Sequence, residues 1–376
     1  MRERLAVTPI QYRHVAYVTL AALTLIVMTG AAVRLTDSGL GCENWPKCGG
    51  TPLPPLSSHA LIEFGNRAVS FVVGIVTVVA AVLAFTRRPY RRNLAILAVL
   101  LPLGVAAQAV LGGFTVLHHL APGFVMAHFS LSLLILVAAF ALAWRSTYEP
   151  GARPLATDRV TTWSVRGLFP LGALTIFAGT AATAAGPHSG GFTGQVVHRL
   201  HFKGADTLEW TIHQHATIAA LFGVAVIGVW FVARRRGASA RELEPLTVLG
   251  VLLAAQGLVG SVQYELKLPS EMVWVHVSLA TVTWLALLWV VASAGRLPPR
   301  AIEVPEGERA AGARELELVG RRESAGTRRG AAVPARGQTA REQRDCCVAT
   351  RLTRLTRMVA SPRRGDRVIS GALALA

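Results

Sequence analysis

Long apolar runs, each wide enough to cross a bilayer, alternate with short polar stretches as far as residue 293. The pattern predicts eight helical spans, at 14–35, 58–85, 93–116, 122–144, 165–185, 209–233, 246–264 and 271–293. The first span is too long for a signal peptide and lacks a cleavage pattern. An internal order repeats within these runs. Gln108-Ala-Val-Leu-Gly112 precedes His128-Phe-Ser130, and Gln256-Gly-Leu-Val-Gly260 precedes His276-Val-Ser278. A single offset aligns every one of these positions. The chain is therefore read as a duplication of a four-span unit. An even number of spans gives both copies one orientation, related by an axis along the membrane normal. The expected fold is an all-α integral membrane protein of eight transmembrane helices in two pseudo-symmetric four-helix bundles. The halves run 1–145 and 146–296, and a disordered arginine-rich tail occupies 297–376.

Composition agrees with the membrane reading: 52% of residues are hydrophobic and 16% charged, against about 25% charged in a soluble domain. The net charge of +17 points at first to nucleic acid. Its distribution argues against that partner. The tail alone carries +7, from sixteen arginines and nine acids. Most of the other basic residues sit in alternate loops: Arg2, Arg4 and Arg13, then Arg87, Arg88, Arg91 and Arg92, then Arg145, Arg153, Arg159 and Arg166, then Arg234, Arg235, Arg236 and Arg241. This is the positive-inside pattern, and it places both termini in the cytoplasm of a multi-pass cell-membrane protein. The tail is read as a solvated extension, with contact to anionic membrane lipid as the alternative. Its Cys346 and Cys347 face a reducing compartment and need no disulfide.

Histidines inside membrane helices carry the chemistry, because a polar group there is costly and usually functional. Setting Asn66 against His215 brings the second helices of the two copies into register. The second copy then holds a pair, His215 and His276, and the equivalent first-copy positions are Asn66 and His128. Two imidazoles on facing helices form the usual cage for a b-type haem, and a four-helix core supplies the slot. His213 competes with His215 for this role. The other reading of each histidine is a packing or hydrogen-bonding one. Zinc is disfavoured, since neither Cys-x-x-Cys nor His-Glu-x-x-His occurs.

The outer loops add three features. Cys42 and Cys48 lie close together on the oxidising side, so a disulfide is the natural reading, structural or redox-active. The third outer loop, with Gly186-Pro187-His188-Ser189-Gly190-Gly191 and then His198, Arg199 and His201, suits a lid or a solvated connection; His118 and His119 are similarly ambiguous. Glu63, near the start of the second span, either pairs with Arg67 one turn on or stands desolvated, ready for proton transfer.

Taken together the motifs resemble the haem A synthase family, from about Tyr17 to Trp289. The pieces, in order, are Thr29-Gly30-Ala-Ala-Val-Arg34-Leu-Thr-Asp-Ser38-Gly39-Leu-Gly-Cys42, Trp45-Pro46-Lys-Cys48, Ile62-Glu63-Phe-Gly-Asn66-Arg67, Leu111-Gly112-Gly113-Phe-Thr115-Val116, Ala127-His128-Phe, Gly179-Thr180, Gly186-Pro187-His188, and Gln256-Gly257 with His276. The resemblance implies a stable haem b held by His215 and His276. It implies a substrate haem O in the first bundle with His128 as one axial ligand, Glu63 as the essential carboxylate, and an outer disulfide of Cys42 with Cys48. The implied reaction oxidises one porphyrin methyl to a formyl group by two water-derived hydroxylations. Electrons leave through haem to an unidentified acceptor, and the shared pathway makes the haem O-forming farnesyltransferase a candidate partner. One departure stands out: the family pattern has a histidine where this chain has Asn66, a poor iron ligand. The first-half haem would then rest on His128 alone or with another group such as His59. Two other classes compete with this reading. A b-type cytochrome that only relays electrons would want histidine pairs in both halves, and a parallel-repeat transporter would want broken helices at the midplane.

Overall fold

A computed structural model describes residues 6–42, 44–48 and 54–297. The expectations for Arg2, Arg4, Cys346, Cys347 and the tail beyond Leu297 lie outside the described residues. Among the described residues there are eight long helices and no strand. They are α1 (Pro9–Leu35), α2 (Ser58–Thr86), α3 (Arg92–Leu117), α4 (Pro122–Ser146), α5 (Arg159–Ala185), α6 (Thr207–Arg235), α7 (Ala240–Glu265) and α8 (Ser270–Ser293). All eight are long and apolar enough to cross a membrane, and the protein is a multi-pass membrane protein.

Three helices, α1, α5 and α7, begin five or six residues before their apolar runs do. Local capping explains each. Thr8 accepts from Gln11 N while the Gln11 side chain returns to the Thr8 N–H, and Pro9 fits the first turn. The Asp158 carboxylate accepts from Thr161 N at the head of α5. Ser239 and Glu242 form a second capping box before α7. Polar caps thus extend the helices by a turn or more past the apolar segment, where hydropathy alone stops.

The helices pack largely in chain order. In the first half, α1 lies against α2 and α4, and α3 lies between α2 and α4; in the second, α5 lies against α6 and α8, and α7 between α6 and α8. The halves meet where α8 packs on α1 and α4 and where α4 meets α5. Leu94, Leu101, Leu136 and Leu142 are fully buried in the first half, and Leu246, Leu249 and Leu287 in the second. The large exposed side chains, such as Phe71, Val224, Val251 and Leu258, are apolar, as a lipid-facing surface requires. Two indole N–H groups bind across the junction of the halves: Trp284 to Leu133 O at 3.2 Å, and Trp274 to Met28 O at 3.1 Å.

One loop arginine behaves differently from a solvated topology signal. Arg87 is completely buried. It donates to Pro89 O at 2.5 Å and to the Glu149 carboxylate at 3.0 Å, so it ties the end of α2 to the segment after α4. The local charge pattern marks Arg87 as basic but carries no sign of its distant acidic partner.

Candidate functional site

The site lies toward the end of the bundle that carries Cys42 and Cys48. In the second half, His215 on α6 and His276 on α8 face each other with ring centres 6.2 Å apart and planes at 81°. The His215 Nδ1 stands 3.0 Å from the Thr175 carbonyl on α5. A carbonyl only accepts, so the proton sits on Nδ1 and the Nε2 lone pair is left for a ligand. Gly179 gives that ring its room, because a Cβ there would lie 3.0 Å from His215 Cε1. His276 is backed in the same way by Gly260, where a Cβ would stand 3.2 Å from Cε1. Its Nδ1 is buried and has no partner among the described residues. His213, two residues before His215, is exposed; two positions along a helix turn a side chain to a different face.

These imidazoles fit a bis-histidine metal centre. Two rings sharing one metal at about 2 Å per bond would have centres about 6 Å apart, the spacing seen here. A four-helix core, a proton fixed on the far nitrogen of one ring and glycines opposite both rings suit a haem. Among the described residues no cluster of three or more His, Cys, Asp or Glu could hold a bare metal ion.

The first half repeats half of this arrangement. His128 on α4 is backed by Gly112, with a Cβ–Cε1 spacing of 3.1 Å, and its Nδ1 is likewise buried without a described partner. Gln108 Nε2 donates to His128 O at 2.8 Å, as Gln256 Nε2 donates to His276 O at 3.2 Å. The following turns match as well: His119 and Leu120 after α3, and Lys267 and Leu268 after α7, all have positive φ. The local likeness between the Gln108–His128 and Gln256–His276 stretches therefore extends to hydrogen bonds, glycine contacts and loop backbone. At the α2 position aligned with His215 the likeness ends. Asn66 occupies the α2 position, and its Oδ1 accepts from the Thr29 hydroxyl at 3.0 Å.

Glu63, one turn before Asn66, is buried and doubly engaged. Oε1 meets Arg67 at 2.5 Å, and Oε2 accepts from Cys42 N at 2.7 Å. Arg67 also donates to the carbonyls of Cys42, Asn44, Pro46 and Lys47. The pair thus gathers the backbone of the first outer loop, which the Cys42–Cys48 disulfide closes. Trp45 in that loop lies over Gly113, next to the glycine that backs His128. His59 turns away from the histidine sites: its Nδ1 is 3.1 Å from Ser38 Oγ and its ring stacks on Phe192 at 5.2 Å.

Phe192 belongs to the connection between α5 and α6, which reaches from the second half across the top of the first. Gly39 N donates to Gly190 O at 2.7 Å, Gln195 Nε2 donates to Leu40 O at 3.2 Å, and Val197 packs on Leu40, Val116 and Leu120. Gly190 has φ +91, and a Cβ there would press on Arg34 and Leu120; only glycine meets both demands. The lid reading of this connection agrees with its course. His198 and His201 are exposed, and His118 stacks on Phe124 at 4.7 Å. Sequence reading singled out neither Thr175, which orients His215, nor Phe192. A lone threonine or phenylalanine in an apolar context gives no signal.

Comparison with known proteins follows this geometry. A family model described as Cytochrome oxidase assembly protein matches residues 13–189. The chain is 32% identical over 241 residues to a Heme A synthase of Symbiobacterium thermophilum, covering 59% of this chain and 76% of that protein. It is 36% identical over 123 residues to a Heme A synthase of Lysinibacillus sphaericus, covering 32% and 40%. It is 30% identical over 118 residues to one of Bacillus licheniformis, covering 31% and 39%.

Proposed function

Since this chain belongs to the haem A synthase family, we propose that it converts haem O to haem A, oxidising one porphyrin methyl group to a formyl group. The observation that carries the reading is the facing pair His215 and His276, set across the second half on α6 and α8 at metal-sharing distance. In this reading His215 and His276 hold a resident haem b, and the substrate haem O enters the first half against His128. Bound haem supplies an iron that takes up and passes on single electrons.

The protein's own residues do the rest. Thr175 fixes the His215 tautomer, and Gly179, Gly260 and Gly112 leave the rings space to align. Glu63 is the carboxylate nearest Asn66 along α2. Its role is to accept protons released as the methyl group is hydroxylated, with Arg67 holding it in place. Asn66 would offer the first half a weaker ligand than a histidine, which suits a substrate that must leave as product. The first outer loop and the α5–α6 connection exclude water from above. We read the two halves as copies of one unit, with both termini cytoplasmic in the cell membrane, as the arginine distribution requires. The electron acceptor is a separate partner, and the haem O-forming farnesyltransferase is the natural supplier of substrate.

The test is a pyridine-haemochrome spectrum with haem extraction, on protein from cells that also make haem O. Haem b together with haem O or haem A is the expected result. Haem b alone, unchanged in Glu63→Gln, would instead leave a simple electron relay. Absence of any haem would overturn the reading.

A further inference from the structure

Two arginines meet at the seam between the halves, above the second-half histidines. Arg34 closes the last turn of α1. Its Nε donates to His188 O at 3.0 Å and its Nη2 to Thr183 O at 3.0 Å, both in the second half. Thr183 lies one turn beyond Gly179 on α5, to whose carbonyl its hydroxyl donates at 2.9 Å, and Gly179 is the residue against the His215 ring. The guanidinium is therefore about 6 Å further along the helix than that contact. His188, which gives its carbonyl to Arg34, reaches Leu268 O with its ring at 2.7 Å, just before α8 and His276. Arg34 thus ties the end of α1 to the end of α5 and, through His188, to the residues before α8.

Arg199 reaches the same turn as Arg34, at the residue before His188. Its Nη2 is spent on Pro187 O. Its Nη1 is buried and has no hydrogen-bond partner among the described residues. An unpaired buried guanidinium nitrogen is costly. Among the described residues neither Arg34 nor Arg199 forms a salt bridge with a carboxylate. Two positive charges a turn beyond the glycine that backs His215, one with a buried donor to spare, are the chemistry that receives a carboxylate.

Resting on the haem-binding reading above, we infer that Arg199, seated beside Arg34, binds a propionate carboxylate of the porphyrin held by His215 and His276. The ion pair would fix the orientation of the porphyrin in the second half. It also ties the α5–α6 connection, which covers the first half, to occupancy of the second.

The test uses the full-length protein produced under haem limitation, titrated with haemin and with haemin dimethyl ester, whose carboxylates are blocked. The readout is the Soret absorbance. Wild type should bind haemin roughly tenfold or more tightly than the ester, the scale of one charge-assisted hydrogen bond. Arg199→Gln should bring haemin down to the affinity of the ester, while Arg199→Lys keeps most of the preference. Equal affinity in wild type, or a preference that persists in Arg199→Gln, would overturn the assignment. So would a preference that survives His276→Ala, since the carboxylate would then belong to a porphyrin in the first half. Uptake of neither compound by wild type would instead overturn the functional reading itself.

Discussion

At the residue scale the histidines separate by direction, although sequence leaves two of them as rivals. His213 and His215 have similar flanks, yet one is exposed and the other faces His276 with its Nδ1 proton fixed by Thr175. His215→Ala or His276→Ala should abolish bound haem b, and His213→Ala should leave it unchanged, read from the haemochrome of purified protein. Loss in His213→Ala with retention in His215→Ala would reverse the assignment. Glu63 is the second residue-scale case. Its contacts hold the disulfide loop, so a role in chemistry must be separated from a role in architecture. Glu63→Gln keeps the shape and an acceptor for Cys42 N but cannot take a proton. Formation of haem A should fall by about a hundredfold or more, with haem b content and resistance of the disulfide to reductant preserved. If Arg67→Gln lowers activity equally and both variants expose the disulfide, the carboxylate serves the loop alone.

At the scale of elements, the eight spans were legible because hydrophobic length is a strong constraint in a membrane. The Gln108–His128 and Gln256–His276 likeness was legible because the same glutamine–carbonyl and glycine–imidazole contacts recur at the same spacing. Helix starts and long-range partners were not legible, since caps and salt bridges depend on where distant loops arrive. Arg87 with Glu149 is one such pair, and Asp158 with Arg236 is another. Asp158 caps α5 and receives two hydrogen bonds from Arg236, at 2.6 and 3.0 Å. These contacts hold its carboxyl well below the usual carboxylate range, the Arg236 hydrogen bonds first and the Thr161 N–H next. A folded-state pKa below the unfolded value of about 3.9 gives stabilisation that is complete above that value and lost as pH falls through it toward the folded one. Thermal midpoints in detergent should therefore drop on acidification from about pH 5 downward. Asp158→Asn, which still caps the helix, should show a smaller drop over the same range. An identical drop in both proteins would place the acid sensitivity elsewhere.

At the scale of the whole molecule, the question is what makes two similar halves one protein. The junction has three parts. Trp284 donates to Leu133 O in a buried setting, and Trp274 donates to Met28 O next to the threonine that holds Asn66. The α5–α6 connection lies over the first half through Gly190, Gln195 and Phe192. Arg34 returns the contact from α1 to Thr183 and His188. The link along the chain is, by contrast, slight. Glu149 pairs back to Arg87, and from Gly151 onward the segment is stitched to Arg296 and Arg241 of the second half. Dividing the chain after Pro150 therefore cuts few contacts and leaves the junction whole. Residues 1–150 and 151–376, expressed together with a tag on one piece only, should co-purify in mild detergent with haem b at the intact protein's ratio. Replacing Trp284 by Leu removes the buried indole donor and leaves Leu133 O without it, so that pair of pieces should separate more readily on size exclusion. Pieces that never associate would mean that the covalent link, rather than packing through α8, holds the halves together. Association unaffected by Trp284→Leu would shift the weight of the junction onto the outer connection and Arg34.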